Sequence, residues 1–314
     1  MNIADKYFIE TLKELKESTN IDVKPRAKYK DGTPAHTKFI TQKTFTYDIS
    51  KGEFPINTLR NTAIKASWYD IEAIYIKQIN IIEEMHPSIH SWWEDFVVNE
   101  IDTLYSTNEG IRKGRSIGQT YGHTVKRYDL MNNLLNGLEF NPFSRRHIIN
   151  LWQEQQMTDD PKALVPCCYE TLWSVREKEV LVDYSYSGLS NGSPIYETVR
   201  HIDLTLNQRS MDYLMTSSIN PTQYVMFGMA VCGHLTQVTG INHQLSIFTH
   251  HVQNLHVYDR HLWAIDELLS RETKEQPKIE LLLNKNFYDY TIEDFKITLP
   301  KGIEKLSKEL ELAI

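Results

Sequence analysis

Cysteine is scarce. Only Cys167, Cys168 and Cys232 occur in 314 residues, and two of them are adjacent, so no disulfide framework is available and a reducing cytosol is the expected setting. Positive charge is not in surplus. Lys and Arg total 34 against 41 Asp and Glu, a net charge of -7, which argues against a general binder of nucleic acid or anionic membrane. It leaves room for a local basic pocket. Residues 1–17 mix charged and apolar side chains with no apolar core, unlike a signal peptide. The longest nearly uncharged run, residues 219–250, contains Asn220, Gln223, His234, Thr236 and Gln237, so it reads as a buried core helix and not a membrane span. Repeats, low-complexity tracts and a convincing linker are also missing. The remaining composition, 41% hydrophobic and 24% charged, is that of a globular protein. One elaborated α+β domain over 1–314 is expected.

Periodicity predicts a surface helix over 4–18 and a basic loop over 24–34 carrying Arg26, Lys28 and Lys30. A strand is expected over 39–47. One long helix or two should follow over 58–84, broken at His86-Pro87. A helix over 125–138 is expected from Leu130, Leu134 and Leu138, then a turn at Asn141-Pro142. Strand-like runs cover 146–152, 169–175, 180–186 and 199–206, with a hairpin tip at 187–194. An apolar helix over 223–235, a short strand over 254–258 and a helix over 259–271 complete the pattern.

Several short segments could carry chemistry, each with a plainer alternative. Cys167 could supply a nucleophilic thiolate if positive charge lies near, or it could be an inert buried thiol. Arg145 and Arg146 offer two guanidinium forks suited to a phosphate, or a solvated surface pair. Gln208-Arg209-Ser210-Met211-Asp212 follows a strand and offers another guanidinium, a hydroxyl and a carboxylate. His256 and Tyr258 alternate along a strand and could face one ligand, or pack as an aromatic pair. Tyr121 beside Gly122 could accept a proton or serve an ordinary turn. His234, His243, His250, His251, His256 and His261 match no zinc spacing, so no metal is expected.

Their order is more specific than any one of them. Arg26 precedes Gly-Thr-Pro-Ala-His (32–36). Then come Gly52-Glu53-Phe54-Pro55, Tyr121-Gly122, Ser144-Arg145-Arg146, Pro166-Cys167, Gln208-Arg209-Ser210-x-Asp212, Asn220 and Asn254-Leu-His256-x-Tyr258-Asp. From about residue 20 to its end the chain resembles the thymidylate synthase family. The short apolar end, Leu312-Ala313-Ile314, fits its bacterial and phage members.

That resemblance implies an α+β fold with a large mixed β-sheet flanked by helices, and sheets packed back to back in a homodimer. It implies transfer of one carbon from 5,10-methylenetetrahydrofolate to C5 of dUMP. The uracil C5 is a weak nucleophile until a thiolate adds at C6, and Cys167 stands at that nucleophile position. Arg26, Gln208, Arg209 and Ser210 would bind the nucleotide. Arg145 and Arg146 would reach the partner's site, and the arginines together would depress the thiol pKa. Asn220 would read uracil, whose N3–H and O4 match an amide's acceptor and donor. His256 and Tyr258 would hold the sugar hydroxyl, and Tyr121 would take part in removing the C5 proton. Asp212, Asn80, Trp92 and the terminal Ile314 would face the reduced folate. Membrane and nucleic acid are not expected partners.

Departures cluster near the folate. The general acid/base glutamate falls on Asp70, with Glu72 as an alternative, and a tryptophan of the family is Ala73. Thr216 stands where glycine is common, and segments 180–206 and 224–256 are longer than usual. A dUMP hydroxymethylase, which adds water to the transferred carbon and releases tetrahydrofolate, is therefore the alternative. A relative that only binds nucleotide or RNA is the non-enzymatic one.

Overall fold

The computed structural model describes residues 1–98, 103–107, 110–154, 164–185 and 193–313. The first helix, α1 (Ile3–Glu17), starts where the Asn2 side chain accepts from the Asp5 N–H. Phe8, Leu12 and Leu15 lie buried along one stripe of it. Then come β1 (Thr37–Asp48), α2 (Ile64–Ile71), α3 (His90–Trp93), β2 (Thr103–Thr107) and β3 (Gly110–Gly114). They are followed by α4 (Gly122–Arg127), α5 (Leu130–Phe140), β4 (Ile148–Asn150), β5 (Cys168–Ser185) and β6 (Ser193–Asp212). The last elements are α6 (Tyr213–Thr216), α7 (Ile219–Thr239), β7 (Asn242–Tyr258), α8 (Leu262–Leu269), β8 (Lys278–Leu281) and β9 (Phe295–Thr298).

A mixed five-stranded sheet in the order β1-β7-β6-β5-β4 forms the frame. The β6–β7 pair is parallel and the other pairs are antiparallel. One face is packed by α7, which is apolar on every side and therefore buried. Gly228 lets this helix approach the sheet, because a Cβ there would lie 2.9 Å from a Leu245 methyl. The hydrophobic cluster draws on residues from Ala4 to Phe295. Strand alternation leaves Asp203, Thr205, Ile247, Thr249 and His251 half-exposed on the opposite face.

This matches the expected α+β class and mixed sheet. Several boundaries differ. The expected helix over 58–84 is shorter: α2 starts at Ile64 and runs into a π-helical turn, Glu72–Ile76. The helix over 125–138 is split, because Asp129 adopts left-handed backbone (φ 51°) between α4 and α5. The two runs at 169–175 and 180–186 form one strand, β5. The uncharged stretch 219–250 is not one helix. Gly240 (φ 71°) ends α7, and the chain turns into a 17-residue strand where only 254–258 was expected. The expected tip at 187–194 lies largely outside the described residues, between Ser185 and Ser193, which pair in register.

Candidate active site

Sheet topology brings three distant segments together. Because β6 and β7 are parallel, their C-terminal ends lie at one end of the sheet. Because β5 runs against β6, its beginning lies there too. Cys168 pairs with Gln208, and Asp212 pairs with His256. β1 adds its first residue beside them, Thr37 opposite Tyr258. Cys167, Gln208–Asp212 and His256–Tyr258 thus converge although 40 or more residues separate each group in sequence.

Cys167 is held at the mouth of β5. Arg209 N–H donates to the Cys167 carbonyl at 2.9 Å, and the Cys167 N–H donates to the Tyr121 hydroxyl at 3.1 Å. The Arg209 guanidinium reaches back over the loop. Its Nε donates to the Pro166 carbonyl (3.0 Å), its Nη2 to the Val165 carbonyl (2.7 Å), and Nη2 lies 3.6 Å from the thiol Sγ. Burial pushes the Cys167 thiol up, while Arg209 and Arg26 pull it down. Both cations act in the expected direction, and burial outweighs them.

Tyr121 is placed by strained backbone. Its φ is 47°, a region that non-glycine residues rarely occupy. Next to it, a Cβ on Gly122 would sit 2.2 Å from the Ile79 carbonyl oxygen, so only glycine lets the two loops touch. Burial holds the Tyr121 phenol well above its ordinary pKa. Asn80 braces the same loops, its amide donating to the Gly118 carbonyl at 2.6 Å.

Asp70 sits one residue before the end of α2, where the helix passes into the π turn, a local widening frequent at functional sites. Its Oδ1 accepts from Trp93 Nε1–H and its Oδ2 from Gln223 Nε2–H, each at 3.0 Å. Burial pushes its pKa up to about 6, against those two donors. Tyr121 and Cys168 both lie within its electrostatic reach. Glu72 instead pairs with Lys77 at 3.0 Å.

At the sheet end, the Gln208 amide oxygen accepts from His250 Nε2 at 2.9 Å, and its NH₂ donates to the Ser210 carbonyl at 2.8 Å. Ser210 itself is half-buried. Burial lowers His256 to about 4, so its ring is neutral. Its Nδ1 bonds Asn254 Oδ1 at 3.0 Å, which leaves Nε2 as an acceptor. Tyr258 lies edge-on to that ring at 5.3 Å. Asp212 caps α6 by accepting the Met215 N–H at 3.2 Å, and burial pushes it up to about 6. Asn220 is half-buried in the first turn of α7.

Other expected residues lie apart from this cluster or beyond it. Arg26 is exposed but close enough to act on both Cys167 and Tyr258. Arg145 and Arg146 are exposed beyond the Asn141 turn, and neither forms an ion pair among the described residues. Trp92 is half-buried, and its neighbour Trp93 is the one bonded to Asp70. Ile314 lies outside the described residues. The chain before it is anchored, with the Glu311 N–H donating to His261 Nε2 at 2.9 Å and its carboxylate paired with Arg260.

Trp93, Gln223 and His250 were not singled out as parts of the site. A signal existed for Gln223, which follows Asn220 by three positions and so shares its helix face. The histidines turn to separate structural partners: His234 accepts the Phe287 N–H, and His243 bonds the Ile241 carbonyl. Among the described residues, no group of three or more His, Cys, Asp or Glu is arranged to hold a metal ion. Nor is any described helix long and apolar enough to cross a membrane.

Comparison with known proteins gives one consistent result. A family model described as thymidylate synthase matches residues 8–310. A thymidylate synthase of Streptococcus thermophilus is 35% identical over 302 residues, covering 95% of this chain and 94% of its own. One from Streptococcus pneumoniae matches with the same identity and coverage. Among solved structures, thermostable thymidylate synthase A from Bacillus subtilis superposes with a TM-score of 0.73 at 26% identity, over 99% of both chains.

Proposed function

The chain belongs to the thymidylate synthase family, and we propose that it is a thymidylate synthase, converting dUMP and 5,10-methylenetetrahydrofolate to dTMP and dihydrofolate. The Cys167 thiolate adds to C6 of uracil. C5 then becomes an enolate carbon able to attack the one-carbon unit. The observation that carries this reading is the Cys167–Arg209 contact: a nucleophile seated 3.6 Å from a guanidinium at the convergent end of three strands.

The chemistry of the neighbours supports it. Arg26 and Arg209 supply charge for the nucleotide phosphate, with the Ser210 hydroxyl and the Gln208 amide beside them. Asn220 offers an acceptor and a donor that match uracil and not cytosine. Nε2 of neutral His256 accepts the sugar hydroxyl alongside Tyr258. Asp70, with its pKa raised towards neutrality, and Tyr121, one hydrogen bond from the Cys167 backbone, handle the protons. Asp212, Asn80 and Trp92 serve the folate side. An apolar tail there would exclude water from the transferred carbon.

The protein acts as a homodimer in the cytosol. Exposure of Arg145 and Arg146, and their lack of ion pairs among the described residues, suit side chains lent to a partner's phosphate site. The half-exposed second face of the sheet suits back-to-back packing.

One observation favours the hydroxymethylase alternative. Ala73 is buried where the family carries tryptophan, and the acid beside it is shorter, so water could gain access to the exocyclic carbon. Incubation with dUMP and methylenetetrahydrofolate separates the two. Formation of dTMP with dihydrofolate supports the proposal. Hydroxymethyl-dUMP with tetrahydrofolate overturns it in favour of the alternative.

A further inference from the structure

Asp70 is gripped from two sides by residues of unlike origin. Trp93 comes from α3, beyond the helix-breaking His86-Pro87 pair. Gln223 comes from the first turns of α7, the helix that carries Asn220 three residues earlier. Both carboxylate oxygens are engaged, at 3.0 Å each. Gln223 is only 4% exposed, so water cannot readily replace its donation. Among the described residues, no cation shares the task. The titratable groups facing Asp70 are Tyr75 from the π turn, Tyr121 from the start of α4 and Cys168 from β5, all neutral or potentially anionic.

The lengths are complementary. Aspartate is one methylene shorter than the glutamate that the family's pattern leads one to expect here. Glutamine is the amide with the longer arm, and it spans the remaining distance from α7. We propose that Gln223 is a positioning residue that fixes the reach and orientation of Asp70, so that the helix reading the base also sets the carboxyl handling the proton. The inference rests on the reading of this site as a dUMP one-carbon transferase, and it holds for either product. On that reading Asp70 handles the proton, and Gln223 acts only through it. A hydrogen bond to the ionised carboxylate favours that form, so Gln223 also restrains the upward shift that burial imposes.

The test compares the wild type with Gln223→Leu, Gln223→Asn, Asp70→Glu and the double variant Asp70→Glu/Gln223→Asn. Total nucleotide product, dTMP or hydroxymethyl-dUMP, gives kcat and KM for dUMP across pH. Titration of the Asp70 carboxyl by carbon-13 NMR reads the same contact without turnover. Covalent capture of 5-fluoro-dUMP on Cys167 is scored separately. Gln223→Leu is expected to lower kcat about tenfold, with KM for dUMP within about twofold. The Asp70 inflexion should move up by about half to one pH unit in both kinetics and NMR. Each single length change should cost activity, and the double variant, which conserves the combined length, should recover most of it. An unmoved carboxyl titration in Gln223→Leu overturns the proposal, as does a double variant whose loss is the product of the two single losses. Absence of the 5-fluoro-dUMP adduct in the wild type would instead overturn the transferase reading, and the NMR titration would still decide whether Gln223 governs Asp70.

Discussion

Replacing Arg209 by methionine keeps an unbranched apolar stem and removes the guanidinium, so its consequences can be worked out contact by contact. The nearest is to the thiol, with Nη2 3.6 Å from Sγ. An opposite charge within ~4–6 Å lowers an acid's pKa by ~1–3 units. Arg209 is half-buried, and solvent weakens its field, so the low end, ~1 unit or ~1.4 kcal/mol, is the expected loss. The sign follows directly: the cation stabilises the thiolate, and its removal raises the thiol pKa further. Below that pKa the thiolate fraction should fall ~10-fold at any given pH. The Val165 and Pro166 carbonyls also lose their donors, at 2.7 and 3.0 Å. Each such bond is worth ~0.5–1.5 kcal/mol net, which for a chain of this size lowers Tm by ~2–5 °C. Alkylation of Cys167 by iodoacetamide across pH, read by peptide mass spectrometry, measures the first effect, because Cys168 and Cys232 are buried and report separately. Calorimetry measures the second. An unchanged alkylation inflexion in a folded Arg209→Met protein would refute the electrostatic role assigned to this arginine.

Asp70 should leave a mark on stability as well as on rate. Its folded pKa of about 6 exceeds the ordinary value of ~3.9, so the folded state holds a proton that the unfolded state releases. The corresponding stability is full below about pH 4 and is lost as pH rises through about 6. Asp70→Asn escapes that loss, since Gln223 can turn its amide to accept from the new NH₂. It should therefore gain ~1–3 kcal/mol on the wild type between about pH 4 and pH 7 while losing turnover. Urea unfolding at the two pH values checks this, and a pH-independent difference would contradict it. Gly122→Ala should displace Tyr121, because the added Cβ meets the Ile79 carbonyl at 2.2 Å and backbone must move. A displacement of about 1 Å at a reacting group costs ~100-fold in rate, so kcat should collapse by roughly that factor.

The ordered motifs were legible because each is local: Pro166-Cys167, Gln208–Asp212 and His256-x-Tyr258 need only be read along the chain. Their convergence was not legible. It depends on β6 and β7 being parallel and on the register that sets Cys168 against Gln208 and Asp212 against His256, which no segment encodes alone. The length of β7 was missed because residues 242–250 lack charge and continue the composition of α7, so only Gly240 marks the change from helix to strand. Asp129 splits the helix expected over 125–138, since a single left-handed residue leaves the apolar spacing intact. Trp92 and Trp93 are neighbours of one type, and only their side-chain directions tell which reaches Asp70. His250 meets Gln208 across two strands, and no spacing in the sequence announces that contact.

The most direct measurement is the intact mass of the protein after incubation with 5-fluoro-dUMP and methylenetetrahydrofolate, with peptide mapping of the modified site. A mass increase equal to the nucleotide plus the folate is expected, located on Cys167 and abolished in Cys167→Ser. An unmodified protein, or an adduct carried by Cys168 or Cys232, would contradict it.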